Sequence, residues 1–175
     1  MKKYIILTLI VVSGFTFISF NMYDNSYTIL QKFDDVEVRT YQPAYYASYA
    51  KLEADSNSQF RVLANYIFGG NEKEEQISMT SPVNMKLYGE QEMLFKMPEN
   101  YDLENLPTPN NSQIKMMKME KRKIAAIKFS GYSNASKVDK YKSLLIEVLK
   151  ENKIRHQDKF ELLVYDAPYK IFNRR

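Results

Sequence analysis

The chain of 175 residues has one histidine, His156, and no cysteine, so it nearly lacks the side chains most used for attack, proton transfer and soft-metal ligation. Neither a glycine-flanked serine elbow nor a phosphate-cradling glycine loop occurs. The carboxylate pairs Asp34-Asp35 and Glu74-Glu75 are sequence neighbours, which point to opposite faces of a strand or lie solvated in a loop. His156, between Arg155 and Gln157 in a polar stretch, reads as a surface side chain. No catalytic residue and no protein metal site is expected, and the chain reads as non-enzymatic. What remains are weaker donors: the phenols of Tyr41, Tyr45, Tyr46 and Tyr49 and the thioethers of Met79 and Met97, each able to ligate iron but each placed as a strand residue would be.

The elements that would position such groups are written in the periodicities. Phe60, Leu63, Ala64 and Ile67 fall at i, i+3, i+4 and i+7, the stripe of an amphipathic helix that Ser56 and Gln59 can open as a capping box. Gly69 or Gly70 can end it in the left-handed conformation, and Ile77, Met79, Val83, Met85 and Leu87 then alternate as one strand face. A polar stretch from Tyr101 to Gln113 separates two halves of like order. The first reads Val36 to Tyr41, Tyr45–Ala50, the Phe60 helix, Ile77–Leu87 and Met93–Met97. The second reads Ile114–Glu120, Ile124–Phe129, a helix over Ser136–Lys150 striped by Val138, Tyr141, Leu144, Leu145, Val148 and Leu149, and a strand with Phe160, Leu162 and Val164 alternating. Two ββαββ units predict an α+β fold: two four-stranded antiparallel sheets, each with a helix, closing into a distorted β-barrel.

The ordered string Gly69-Gly70-Asn71-Glu72-Lys73-Glu74 followed by Met79-Thr80-Ser81-Pro82-Val83 resembles the signature of the SOUL haem-binding protein family. The resemblance extends through Val36-Glu37-Val38-Arg39-Thr40-Tyr41 with Pro43-Ala44, then Phe95 to Pro98, Tyr101-Asp102-Leu103-Glu104, Leu106-Pro107-Thr108-Pro109, Phe129-Ser130-Gly131 and Tyr165-Asp166-Ala167-Pro168. It covers roughly residues 27–175 and implies eight strands and two helices related by a pseudo-two-fold axis. Family members usually continue past a motif like Asn173-Arg174-Arg175 into a short Asn-Glu-Val strand. Here the final strand is read as truncated, or replaced by residues 168–175.

The resemblance also implies haem or another tetrapyrrole as the partner. Some members are thought to use an axial histidine in the opening strand, but Thr40 stands between Arg39 and Tyr41 here. Others hold haem in an apolar groove flanked by basic residues, which maps onto Phe60, Leu63, Ile67 and Met79 and onto Tyr165, Pro168 and Lys170. Leu63 and Ile67 are expected inside, with Tyr66 or Phe68 nearer the groove. Arg61, Arg39, Lys170 and Arg174 are available for the propionates. Two other readings stay open: a gyrase-inhibitor-like module for another apolar or cationic small molecule, distinguished by whether Glu53, Glu92 or Glu120 points into a cavity, and an envelope scaffold without ligand.

Residues 1–26 read as a separate segment. Lys2 and Lys3 precede an apolar run from Tyr4 to Phe20, the layout of an export signal or membrane anchor, which places residues 27–175 as a domain outside the cytoplasm, periplasmic or held at the membrane. A formal charge of +4, with lysines interleaved by Ile, Met and Ala in the densest basic stretch, Lys115 to Lys128, does not fit nucleic-acid binding. A reporter fused after Asn25 is expected to be exported, and retention of that fusion in the cytoplasm contradicts the reading.

Overall fold

A computed structural model describes residues 27–50 and 56–165. The signal or anchor reading of residues 1–26, and those for Glu53, Pro168, Lys170, Arg174 and the final strand, lie outside the described residues. The described elements run β1 Tyr27–Phe33, β2 Val36–Tyr41, β3 Ala44–Ala50, α1 Ser56–Ile67, β4 Val83–Lys86, β5 Glu92–Lys96, β6 Lys115–Met119, β7 Arg122–Ile127, α2 Ala135–Glu151 and β8 Glu161–Val164. All pairings are antiparallel and the fold is α+β.

The strands form a sheet of three, in the order β1-β2-β7, and a sheet of five, in the order β6-β3-β5-β4-β8. The expected division into four and four differs for two reasons. First, β6 and β7, neighbours in sequence, split: β7 pairs β2 and β6 pairs β3. Second, β1 adds to the smaller sheet. Alternation did not reveal β1, because Ile29 and Leu30 are consecutive apolar residues. A bulge between Ile29 and Gln31 absorbs the irregularity. No closed barrel forms among the described residues.

Helix α1 lies over β3 and β5, and its buried residues are Gln59, Leu63, Tyr66 and Ile67. That stripe is rotated from the apolar one read in sequence, and two hydrogen bonds account for the rotation. The Gln59 amide donates to the Gln91 carbonyl at 2.8 Å, and the Tyr66 hydroxyl donates to the Pro107 carbonyl at 2.9 Å, so both polar groups turn inward satisfied. Phe60 and Ala64 therefore lie half-buried on the flank of the helix. Tyr66 is fully buried, which corrects its expected place near a groove.

The double glycine ends α1 by two different means. Gly69 takes φ +104°, while a Cβ on Gly70 would come within 2.6 Å of the Asn65 carbonyl oxygen. Asn71, fully buried, then organises the connector: its amide donates to the Tyr66 and Glu75 carbonyls and its oxygen accepts from the Lys73 and Glu75 N–H groups. The strand expected from Ile77 begins only at Val83. Ile77 N–H is taken by the Ile67 carbonyl at the helix end, Thr80 donates its hydroxyl to the Lys96 carbonyl, and Pro82, after a cis peptide, has no N–H to give to a ladder.

Helix α2 is capped by Asn134, whose side chain accepts from Lys137 N–H at 2.9 Å, and ends at Asn152. It packs Leu145 and Leu149 on Val36 with Ala125 and Ile127, so the molecule layers as α1, large sheet, small sheet and α2. Leu144, read as part of the stripe, is 38% exposed.

Replacing Tyr66 by Phe strands a buried Pro107 carbonyl. The variant is expected to lose about 1–3 kcal/mol in urea unfolding, and an unchanged midpoint contradicts the role given to this hydroxyl.

Candidate functional site

The order of strands in the large sheet determines what α1 leaves uncovered. Beyond β5 the same sheet face continues onto β4 and β8, where Val83 lies opposite both Phe95 and Val164, and Met85 opposite both Met93 and Leu162. Val83, Met85, Leu162 and Val164 are half-buried. Two strand spacings make this apolar floor about 10 Å wide. Its wall is the flank of α1: Phe60, Ala64 and Phe68 recur at i, i+4 and i+8, and the helical bond from Phe68 N–H to the Ala64 carbonyl, at 3.0 Å, carries the ridge one residue past α1. The Phe60 ring meets Phe95 edge to face with centroids 5.3 Å apart, and Phe68 is 66% exposed. At one end, the Ser81 hydroxyl donates to the Tyr165 carbonyl at 3.0 Å, which holds the segment carrying the exposed Met79 against the exit of β8.

The structure thus brings four of the expected residues to one groove. Phe60 stands in its wall, Met79 and Tyr165 at its end, and Arg61 on the exposed surface of α1 beside Phe60. Leu63 and Ile67, with 0% and 1% exposure, lie beneath the helix in the core with Ala47, Tyr49 and Phe95, where they position the wall. Pro168 and Lys170 follow Tyr165 outside the described residues. The floor itself was not anticipated. Its alternation was legible, but which strands lie side by side was not.

The weak iron donors are largely withdrawn from this groove. Tyr41, Tyr46, Tyr49 and Met97 are buried, and Thr40 shares a strand face with Val36, which packs on α2 in the other sheet. Tyr66, the phenol nearest the wall in sequence, is pushed up to about 12, first by burial and then by the charges near Tyr101, Glu75 and Glu72, so it stays neutral. His156 lies before the start of β8, its ring 5.9 Å from Phe160 and its Nδ1 3.2 Å from the Gln157 carbonyl oxygen. Tyr165 lies past the other end of that strand.

Arg39 is not free for a ligand carboxylate, contrary to expectation. Its exposure is 2%, and Nε and Nη2 both donate to Glu37 Oε2, at 2.9 and 2.7 Å. Its Nη1 donates to the Tyr41 hydroxyl at 3.3 Å, and its guanidinium lies 4.3 Å from the Tyr27 ring centroid. Glu37, Arg39 and Tyr41 alternate on β2, so the face opposite Val36 is built of charge. Burial tends to raise the Glu37 carboxyl, but Arg39 and then Lys128, whose Nζ is 3.5 Å from Oε1, outweigh it and hold the group below its usual range.

Of the acidic residues that would mark a cationic ligand, Glu92 and Glu120 are described and both are paired. Glu92 lines a concavity of about 300 Å³ with Lys86, Tyr88 and Lys115, but its carboxylate is paired with the Lys86 ammonium. Burial raises that carboxyl while Lys86, Ser48 and Lys115 lower it, and the lowering prevails. Glu120 is an exposed partner of Lys118.

The family model described as SOUL heme-binding protein matches residues 23–175. Heme-binding protein 2 of Homo sapiens is 28% identical over 151 residues, 79% of this chain and 73% of that protein. Heme-binding protein 1 of Xenopus laevis is 26% identical over 131 residues, 70% of this chain and 68% of that protein.

Glu37 has a lowered folded pKa, so its contribution is present above the unfolded value, about 4.3, and is lost as pH falls through the folded value. Stability is expected to fall on that acid limb, with a shallower fall in Glu37→Gln. Arg39→Met, which leaves Glu37 buried without its main partner, should cost about 3–5 kcal/mol in urea unfolding at pH 7. Equal pH slopes in wild type and Glu37→Gln contradict the assignment.

Proposed function

Because this chain belongs to the SOUL haem-binding protein family, we propose that it is a non-enzymatic binding protein for haem or a related tetrapyrrole, which it holds in the groove between α1 and β8 without a histidine ligand. The observation that carries this reading is the half-buried apolar floor of Val83, Met85, Leu162 and Val164, left beside the helix flank of Phe60, Ala64 and Phe68. A flat apolar ring needs such a surface with a few polar groups at its rim. The donor set fits weak or absent axial ligation: among the described residues Met79 is the exposed thioether at the groove's end, and the His156 ring lies against Gln157 and Phe160 before the start of β8. Bound haem would supply the iron chemistry, and the chain supplies binding and orientation.

In this reading Phe60, Met79 and Tyr165 contact the ring, Leu63 and Ile67 support the wall from beneath, and Arg61 pairs with a propionate. Pro168 and Lys170, next along the chain from Tyr165, stay assigned to the ligand as a ring contact and a second cation. The pairing of Glu92 with Lys86 supports this reading over a module for cationic ligands. We also read the two sheets as parts of a distorted barrel of two ββαββ halves. The crosswise pairing of β2 with β7 and β3 with β6 is what exchange of the leading strands between halves would give. Residues 1–26 are the leader or anchor that places the domain outside the cytoplasm, where it sequesters or relays haem.

Haemin titration of residues 26–175, followed at the Soret band, tests the groove. Val164→Asp puts a charge on the floor and Arg61→Ala removes a charge-assisted contact of about 1.5–3 kcal/mol, so each should weaken binding about tenfold or more, while His156→Ala should leave it nearly unchanged. Loss of the Soret shift in His156→Ala alone, or full affinity in Val164→Asp, overturns the proposal.

A further inference from the structure

The side of the molecule opposite α1 carries a second concavity, of about 430 Å³, lined by Ile146, Lys150, Ile154, Arg155 and His156. It lies between the last turns of α2 and the segment that leads to β8. Ile154 belongs to the apolar cluster under α2 with Val148 and Phe160, so the floor is continuous with the core. The rim is cationic, and its two strong cations are not spent: neither Lys150 nor Arg155 has an ion-pair partner among the described residues. His156 is held by its Nδ1 contact to the Gln157 carbonyl, with the exposed Asp158 carboxylate at 3.8 Å.

A helix C-terminus normally repels an anion through its unpaired carbonyls. Here the carbonyls of Val148, Leu149 and Lys150 are occupied. Val148 accepts from Asn152 N–H, Leu149 from Ile154 N–H at 2.8 Å and Lys150 from Lys153 N–H at 3.1 Å, with Lys153 at φ +56° making the turn. The Asn152 side-chain amide adds a further bond to Val148. An anion entering the concavity meets ammonium and guanidinium groups over capped backbone, with two isoleucines beneath. The volume is within the roughly 300–1,000 Å³ range of small-molecule sites.

We propose that this concavity is a second ligand site, separate from the groove at α1, for a small amphiphilic anion: a carboxylate or phosphate on an apolar body. Lys150 and Arg155 take the anionic head, the planar fork of Arg155 giving two parallel bonds to its oxygens. Ile146 and Ile154 take the apolar body, and the His156 ring forms a wall. The site is on the α2 layer and the tetrapyrrole groove on the α1 layer, so each can be lost without the other.

The test uses the full-length protein in a nonionic detergent, with isoleucine methyl resonances as the readout and 1-naphthyl phosphate as the probe. Saturable shifts of Ile146 and Ile154 are expected, with affinity about tenfold weaker or more when Lys150→Ser or Arg155→Ser removes a charge-assisted contact. Both replaced side chains are exposed, so the variants keep the fold. Val164→Asp, in the other groove, should leave these shifts in place. Inorganic phosphate should bind more weakly, and 1-naphthylmethylamine, with the same ring and the opposite charge, should not saturate. Absence of a saturable shift overturns the proposal, as does binding that survives both substitutions. Equal binding of inorganic phosphate reduces the site to a plain anion site and overturns its amphiphilic character, and equal binding of the amine shows apolar partitioning instead.

Discussion

The seating of α1 on β3 and β5 is the contact on which the rest of the site depends. Leu63 and Ile67 supply the apolar part, and Gln59 and Tyr66 fix the rotation through hydrogen bonds to the carbonyls of Gln91 and Pro107. A helix covers about two strand spacings. In a five-stranded sheet ordered β6-β3-β5-β4-β8, a helix over the second and third strands does not reach across the last two. The groove is what remains beside that contact. Rotating the stripe moved Phe60 and Ala64 from the middle of the buried face to its flank, which gave the groove an apolar wall.

The opposite half of the molecule is organised by charge. β2 turns Val36 to α2 and Glu37, Arg39 and Tyr41 to the other side, where the Glu37 carboxylate is paired with the Arg39 fork and Lys128, and the Arg39 guanidinium also lies over the Tyr27 ring. Removing either partner of such a pair costs more than the pair contributes, because it leaves a buried charge. The same logic holds at Arg122 and Glu161, 2.6 Å apart on strands of the two different sheets. Arginines read from sequence as free propionate partners therefore divide by burial: Arg61 is available and Arg39 is not.

Both helices and seven of the eight strands were legible in the sequence, all but β4 within a few residues at their ends. β1 was not, since the bulge at Leu30 breaks its alternation. The stretch from Ile77 to Pro82 carried strand-like alternation without forming a ladder: the Ile77 N–H is taken by the Ile67 carbonyl at the end of α1, and Pro82 has none to give. The site was half legible. Phe60 and Met79 could be placed by family resemblance, and the burial of Leu63 and Ile67 by helical spacing. Leu162 and Val164 were visible as a strand, yet nothing local says that this strand adds to β4 and so floors the groove. The concavity beside His156 was hidden for a related reason: it depends on Ile154 turning back to the core after the helix ends.

Methyl labelling of Val, Leu and Met side chains, followed by addition of haemin, locates the ring directly, since the paramagnetic iron broadens nearby resonances. The account predicts selective broadening of Val83, Met85, Leu162, Val164 and Met79, with Leu145 and Leu149 beneath α2 left sharp. Broadening centred on Leu145 and Leu149, or none beyond dilution, would contradict it.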